Sequence, residues 1–541
     1  MPCGPGFTGF LGKPAQDGRK RCPVGYRRPG ADTGQYVKLE RMTGFEPATH
    51  GLGSRCPTTG LHPLARPCDH TLSIRKCGET RKGGQDRWTR EGDKRRGQDK
   101  GRHAGFLNLG RWRISELDVK LRVYSGRRVE NGAGPQDRVQ RNRGRDMNAR
   151  LLAERHEQYV IDLRREFHRH PEPSGEERRT SSRVVAELES MGIPYEVVGE
   201  CGIIAKLRGC GSTGNTVMLR ADMDALPIQE SVRNLAGPKT VISNVPACAH
   251  LCGHDAHTAM LLGVARGLAE TQDELQGDVL LCFEQAEETT GGIAPMMLAL
   301  EAQNPKAVWG IHVYSELPSG AISVEPGPRM SGMTAFSVTL RGSGGHGSRP
   351  DQTIDPLLCA AQAVTDLCSI PAREVKPTAV GVVTVGMIRA GQAGNVIPDS
   401  ASFAGTARFF DSNLGERIVE SVERIVTHTA AAHRCEASVT ISGPHPAVIN
   451  DGALSALAAG SVQTALGPER LATCEPWMAS ETMGCYLAKY PGVLALLGIA
   501  CDSVGAGAPH HSPSFEIDES ALKYGVAATL QFASDALRRL P

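Results

Sequence analysis

The sequence predicts an α/β protein: a main domain on a largely parallel sheet, an inserted βαββαβ (ferredoxin-like) domain, and a disordered basic N-terminal extension. Three observations predict it. Short continuous apolar runs alternate with segments of helical period, as in sheets buried on both faces. One stretch reads strand, helix, strand, strand, helix, strand. Composition changes abruptly at Met147. At 541 residues the chain exceeds a single core. The expected division is 1–146 extension, 147–329 first part of the main domain, 330–444 inserted domain and 445–541 second part of the main domain.

The net charge of +2 conceals an asymmetry. Residues 1–146 carry 31 Lys+Arg against 15 Asp+Glu, whereas residues 147–541 carry 30 against 44. The extension is rich in Gly, Arg, Pro and Gln, has no sustained period, and cannot bury enough apolar surface to offset chain entropy. Its Gly44-Phe45-Glu46-Pro47-Ala48-Thr49 segment resembles one that recurs at spurious ends of predicted genes, so 1–146 is read as a disordered or spurious extension. A basic nucleic-acid arm is the alternative reading, and no nucleic-acid partner is expected.

From Met147 the elements follow in order. Leu152, His156, Val160, Leu163 and Phe167 recur at helical spacing, and Ser174 with Glu177 reads as the start of a second helix. Val217–Leu219, Val279–Phe283 and Val308–Val313 suit buried strands, alternating with helices near 257–269 and 292–302. The inserted domain comprises Thr334–Leu340, Pro356–Ser369, Thr378–Ile388, Ser400–Phe410, Leu414–Ala432 and Ala437–Ser442. A helix near 520–538 closes the chain.

Chemistry concentrates in His250-Leu251-Cys252-Gly253-His254-Asp255-Ala256-His257. Thiolate, imidazole and carboxylate together suit a divalent transition metal better than packing. On an extended segment Cys252 and His254, two apart, project to one side. Four further clusters are placed at comparable points of the predicted sheet, where active residues of such sheets gather. They are Asp222-Met223-Asp224 after a strand, Glu287-Glu288 after another, His312 ending a third, and His510-His511 after a Gly-rich turn. Adjacent glutamates suit a division of labour, one on metal and one as general base.

In these motifs residues 147–541 resemble the amidohydrolase branch of the metal-dependent aminoacylase and carboxypeptidase family, which includes hippurate hydrolases and indole-acetyl-amino-acid hydrolases. The resemblance implies two divalent metal ions (Zn, Mn or Co) held by Cys252, His254, Glu288, His312 and His511, with the thiolate bridging. It implies Glu287 as general base and Asp224 in support. Gly344-Gly345-His346-Gly347-Ser348 resembles the segment whose histidine, His346, supports the developing oxyanion, in some relatives from the partner subunit. Asn395 and Arg408 match residues that hold the substrate carboxylate. The inserted domain is then a lid through which a homodimer forms, with Gly332 fitting a hinge.

The implied activity is hydrolysis of the amide bond of N-acyl amino acids or similar small amides by a metal-activated water. The alternatives are a metal-free thiol hydrolase using Cys252 with a nearby histidine, or a non-catalytic ligand-binding relative. Several positions depart from the family pattern. Glu284-Gln285 stands for Gln-Pro, Leu251 for Ala, Ser480-Glu481-Thr482 for Ser-Glu-Asp, and Asp351 for His. The scattered cysteines form no disulfide framework, and no apolar run spans a bilayer, so a cytoplasmic protein without membrane association is expected.

Overall fold

The computed structural model describes residues 147–210, 214–443 and 445–540. The expected disorder of 1–146 therefore lies outside the described residues.

The main sheet has seven strands, in the order Tyr195–Val198, Gly202–Leu207, Asp278–Glu284, Thr216–Asp222, Ala307–Pro318, Gly492–Ala500 and Ile322–Ser323. The four strands Asp278–Glu284, Thr216–Asp222, Ala307–Pro318 and Gly492–Ala500 run parallel, and antiparallel strands flank them. The continuous apolar runs have a direct cause. Val217 and Leu219 enter one hydrophobic core, while Met218, Leu280 and Cys282 enter another. Each strand therefore buries both faces, which parallel sheets require.

The second sheet is antiparallel and four-stranded, ordered Gly381–Ala390, Ser400–Phe409, Gly332–Arg341, Glu436–Ile441. Burial alternates along Gly332–Arg341, as expected of a sheet covered on one face. Phe336, Val338 and Leu340 pack with Cys359, Ala363, Leu414, Ile418 and Val422 of the helices Pro356–Leu367 and Ser412–Ala432. Asp355 and Asp411 cap these helices, each accepting an amide hydrogen bond of 2.9 Å in the first turn.

Two expectations are corrected. The helix expected to start at Ser174 runs over Arg178–Ser190 with Glu177 at its cap position. Ser174 instead donates its hydroxyl to Asp224 Oδ2 at 2.6 Å. The strand expected to end at His312 continues to Pro318. His312 is nevertheless placed at an opening, because pairing with Thr216–Asp222 stops at Gly310.

At Gly332 a Cβ would lie 2.5 Å from the Phe409 ring and 2.7 Å from the His445 carbonyl. Only glycine fits where the chain enters the second sheet. Among the described residues, eleven cysteines are free, and no helix is long and apolar enough to cross a membrane.

Candidate metal centre

The site forms at the carboxyl ends of the parallel strands. The Cys252–His254 segment is not extended, contrary to expectation. Gly253 takes φ +99°, a left-handed conformation that favours glycine, and His254 opens the helix His254–Glu270. Helical rotation then sorts the motif. His257, three residues on, returns to the side of His254, and its Nδ1 donates to Asp222 Oδ1 at 2.6 Å. Asp255 turns away and pairs with Arg164 at 2.9 Å and His168 at 2.8 Å. His250 is buried with both ring nitrogens unpartnered. Of the five chemistry-bearing residues in this motif, Cys252, His254 and His257 enter candidate donor groups, His257 in one with Asp222 and His254.

Two donor triplets share one atom. Cys252, His254 and His312 form one; Cys252, Glu288 and His511 form the other, with ligand atoms in each within 4.8 Å of one another. His254, Glu287 and Glu288 form a third overlapping group at the same spacing. Cys252 Sγ lies 3.6 Å from His312 Nε2. The structure thus brings together residues from sequence segments far apart.

The surroundings fix which nitrogens face the cluster. His312 Nδ1 donates to the Val313 carbonyl at 2.6 Å, leaving Nε2 towards Cys252. His254 Nδ1 donates to Asp224 Oδ1 at 3.0 Å, and its Nε2 is buried without a hydrogen-bond partner. Metal-ligating histidines are oriented in this way. Asp224 Oδ2 also accepts from the Glu288 amide at 3.0 Å. Although burial opposes it, the hydrogen bonds from His254 and Ser174 hold Asp224 below its usual carboxylate range. Glu288 Oε1 is likewise buried without a hydrogen-bond partner, with His511 Nε2 at 3.2 Å. His511 has φ +64°, and Ala286, just before Glu287, has φ +54°. Such backbone strain clusters at functional sites.

Electrostatics points the same way. Burial, with the Glu481 carboxylate beside it, pushes Glu287 well above the ordinary range. Burial also pushes the Cys252 thiol well up. Burial and the neighbouring His257 and His510 hold His312 well below the usual histidine value, so it is a neutral donor. Arg220 is the buried guanidinium beside these carboxylates, 2.8 Å from Asp222, 2.7 Å from Glu284 and 2.9 Å from Glu481. An excess of buried carboxylates with unpartnered imidazole and carboxylate atoms fits divalent cations.

A cavity of about 320 Å³ opens onto the cluster. Cys252, Glu287, Glu288, His312 and His511 line one part; Arg408, Met333 and His445 of the second-sheet region line another, with Met330, Trp477 and Ala479 between. Arg408 donates to the Met478 carbonyl at 2.8 Å. His346 and Asn395 do not line this cavity. His346 sits exposed on a two-stranded ribbon with Val396–Ile397, its Nδ1 accepting from the Ser348 amide at 3.1 Å. Asn395 is exposed beside it, its carbonyl accepting from the Gly347 amide at 2.8 Å. Within one chain these two residues are not brought to the cluster.

Sequence reasoning gave no role to Asp222, His257, Arg220, Trp477 or His445. Asp222 and His257 lie inside motifs already singled out, and Arg220 stands two residues before Asp222; Trp477 and His445 carry no signal that spacing could reveal. Two departures from the family pattern share one contact. Thr482 Oγ1 accepts from Arg220 at 2.7 Å and donates to Glu284 Oε2 at 3.1 Å. Arg220 is thus held by Thr482 together with the carboxylates of Asp222, Glu284 and Glu481.

Fold and cluster together define a class: an α/β protein with a candidate two-metal centre at the carboxyl edge of its sheet. Residues 218–535 match peptidase family M20/M25/M40. The chain is 37% identical over 389 residues to IAA-amino acid hydrolase ILR1-like 4 of Arabidopsis thaliana, covering 71% of this chain and 86% of that protein. It is 34% identical over 365 residues to the N-acetylcysteine deacetylase of Bacillus subtilis (strain 168), covering 67% and 93%. Among solved structures, the Bacillus subtilis YXEP protein, a dinuclear metal binding peptidase from the M20 family, superposes with a TM-score of 0.62 at 30% identity, over 72% of this chain and all of that one. The chain belongs to the M20 family, and its relatives are hydrolases of amide bonds.

Proposed function

We propose that the protein is a metal-dependent amidohydrolase that cleaves the amide bond of N-acyl amino acids. One observation carries the reading: Cys252 is common to two donor triplets, His254/His312 and Glu288/His511, with Glu287 in the overlapping group. Cys252, His254, Glu288, His312 and His511 would hold two divalent ions; a shared thiolate with imidazoles suits zinc, and the carboxylates also accommodate manganese or cobalt. When bound, such ions polarise a carbonyl and acidify water.

The chain's own residues supply the rest. Glu287 takes the proton of the attacking water on its carboxylate and returns it to the leaving nitrogen. The Thr482 amide holds Glu287 Oε1 at 2.9 Å and fixes the orientation of that carboxylate. Asp224 keeps His254 in the tautomer that presents Nε2. Arg408 lines the cavity, where it donates to the Met478 carbonyl, and binds the substrate carboxylate. The second sheet acts as the lid. Its outer strand Gly381–Ala390 is an exposed edge carrying Val382, Met387 and Ile388, which suits pairing with a second copy. His346 and Asn395 act from the partner of such a homodimer or on closure.

The thiol-hydrolase alternative needs an ionised Cys252, the form that burial suppresses here. The test is a screen of benzoyl-, acetyl- and indole-acetyl-amino acids with metal-loaded protein. Cleavage of at least one, abolished by a chelator and restored by metal, is expected; turnover that resists chelation, or none with metal supplied, contradicts the reading.

A further inference from the structure

Arg408, Met333 and His445 stand in one cross-strand row. Arg408 pairs with Met333 in the antiparallel register of Ser400–Phe409 on Gly332–Arg341. Met333 in turn pairs with His445, exchanging backbone hydrogen bonds of 3.0 and 2.8 Å. Directly opposed residues of neighbouring strands share a sheet face, and all three line the cavity over the metal centre. The row therefore presents a guanidinium and an imidazole on either side of a methionine, as part of one rigid surface.

Neither polar member has an acidic partner among the described residues. Arg408 spends one donor on the Met478 carbonyl. His445 is half-buried, with Nδ1 3.9 Å from Cys485 Sγ. Burial, with Glu284 and Glu481 nearby, pushes the Cys485 thiol up to about 12, so it stays protonated. With the S–H donating to Nδ1, the ring proton sits on Nε2, the tautomer in which a neutral imidazole donates to an anion without carrying a buried charge.

We propose that His445 is a specificity-determining residue: beside Arg408 it donates a hydrogen bond to the carboxylate of the substrate, so that the pocket selects acyl amino acids over acyl amines. The inference rests on the amidohydrolase reading for the substrate it names. The apolar wall of Met330, Trp477 and Ala479 is left to the remainder of the molecule.

Two probes differing only in the carboxylate, N-benzoylglycine and N-methylbenzamide, test it. Their binding is measured by calorimetry on the metal-loaded full chain carrying Glu287→Gln, with and without His445→Phe. His445→Phe is expected to weaken N-benzoylglycine about ten- to a hundredfold, the range for a hydrogen bond to a charged group, and to leave N-methylbenzamide unchanged. His445→Gln, which keeps an N–H donor, recovers part of the loss. With Glu287 intact, His445→Phe raises KM for N-benzoylglycine more than it lowers kcat. Equal weakening of both probes, no weakening of N-benzoylglycine, or no preference for it in the unaltered pocket overturns the proposal. A pocket that discriminates by carboxylate, in a protein that cleaves none of the benzoyl-, acetyl- and indole-acetyl-amino acids with metal supplied, would sink the amidohydrolase reading and leave His445 standing.

Discussion

His254 Nδ1 donates to Asp224 Oδ1 at 3.0 Å, while the other ring nitrogen of His254 is buried without a partner. One carboxylate thereby decides which face of the imidazole is offered to the cluster. The same Asp224 holds the Glu288 amide, so it aligns two donors that come from different segments. Asp224→Asn is expected to weaken metal binding about 10- to 100-fold, the usual cost of losing such support. Competition with a chromogenic chelator measures it; an unchanged dissociation constant contradicts the role.

Glu287 is separated from its neighbour by function. Glu287→Gln should keep the metal content and lose at least ~10²-fold in kcat, the lower end for positioned acid–base catalysis. Full turnover by this variant would remove Glu287 from the reaction.

Glu284 and Thr482 meet across Arg220. Glu284→Gln is expected to lower thermal stability and kcat together, because Thr482, which Glu284 holds, positions Glu287. Adding Thr482→Asp returns a carboxylate to the same guanidinium and should restore most of both. A double variant no better than the single one contradicts the exchange.

Away from the centre, Glu230 accepts from His168 at 2.9 Å and from Lys239 at 2.7 Å. Burial alone would raise its carboxyl, but His168, Lys239 and the Ser243 amide outweigh burial and bring it from 4.5 to about 2. A depressed carboxylate contributes stability that is fully present above its unfolded value and lost as pH falls through the folded one. The protein should therefore lose stability between about pH 4.5 and pH 2, and Glu230→Gln should flatten that loss. Thermal melts across this range measure it; an acid transition of unchanged depth in the variant contradicts the assignment.

The strands and helices were legible because their apolar patterns are clean. Val217–Leu219 and Val279–Phe283 are continuous because both faces are buried. The βαββαβ order was visible although Gly381–Ala390 loses its alternation at the register shift between Val385 and Met387. The neighbourhood of Cys252 was legible as chemistry but not as geometry. Periodicity could not show that a left-handed Gly253 starts a helix at His254, and that helix turns Asp255 towards Arg164. Nor could it show that His312 stands mid-strand, two residues past the point where pairing with Thr216–Asp222 stops. Arg408 and His445 face the centre through the register of a sheet built from segments far from it in sequence, and no local pattern encodes that register. His346 and Asn395, singled out by resemblance, sit in one chain away from the cavity.

The most direct measurement is the metal content of the full-length protein purified without chelator, set beside Cys252→Ser. Two divalent ions per chain, with the variant losing affinity for both because its side chain is common to the two triplets, is the predicted result. A chain that binds no more than one ion, or a Cys252→Ser variant that keeps both at full affinity, contradicts the account.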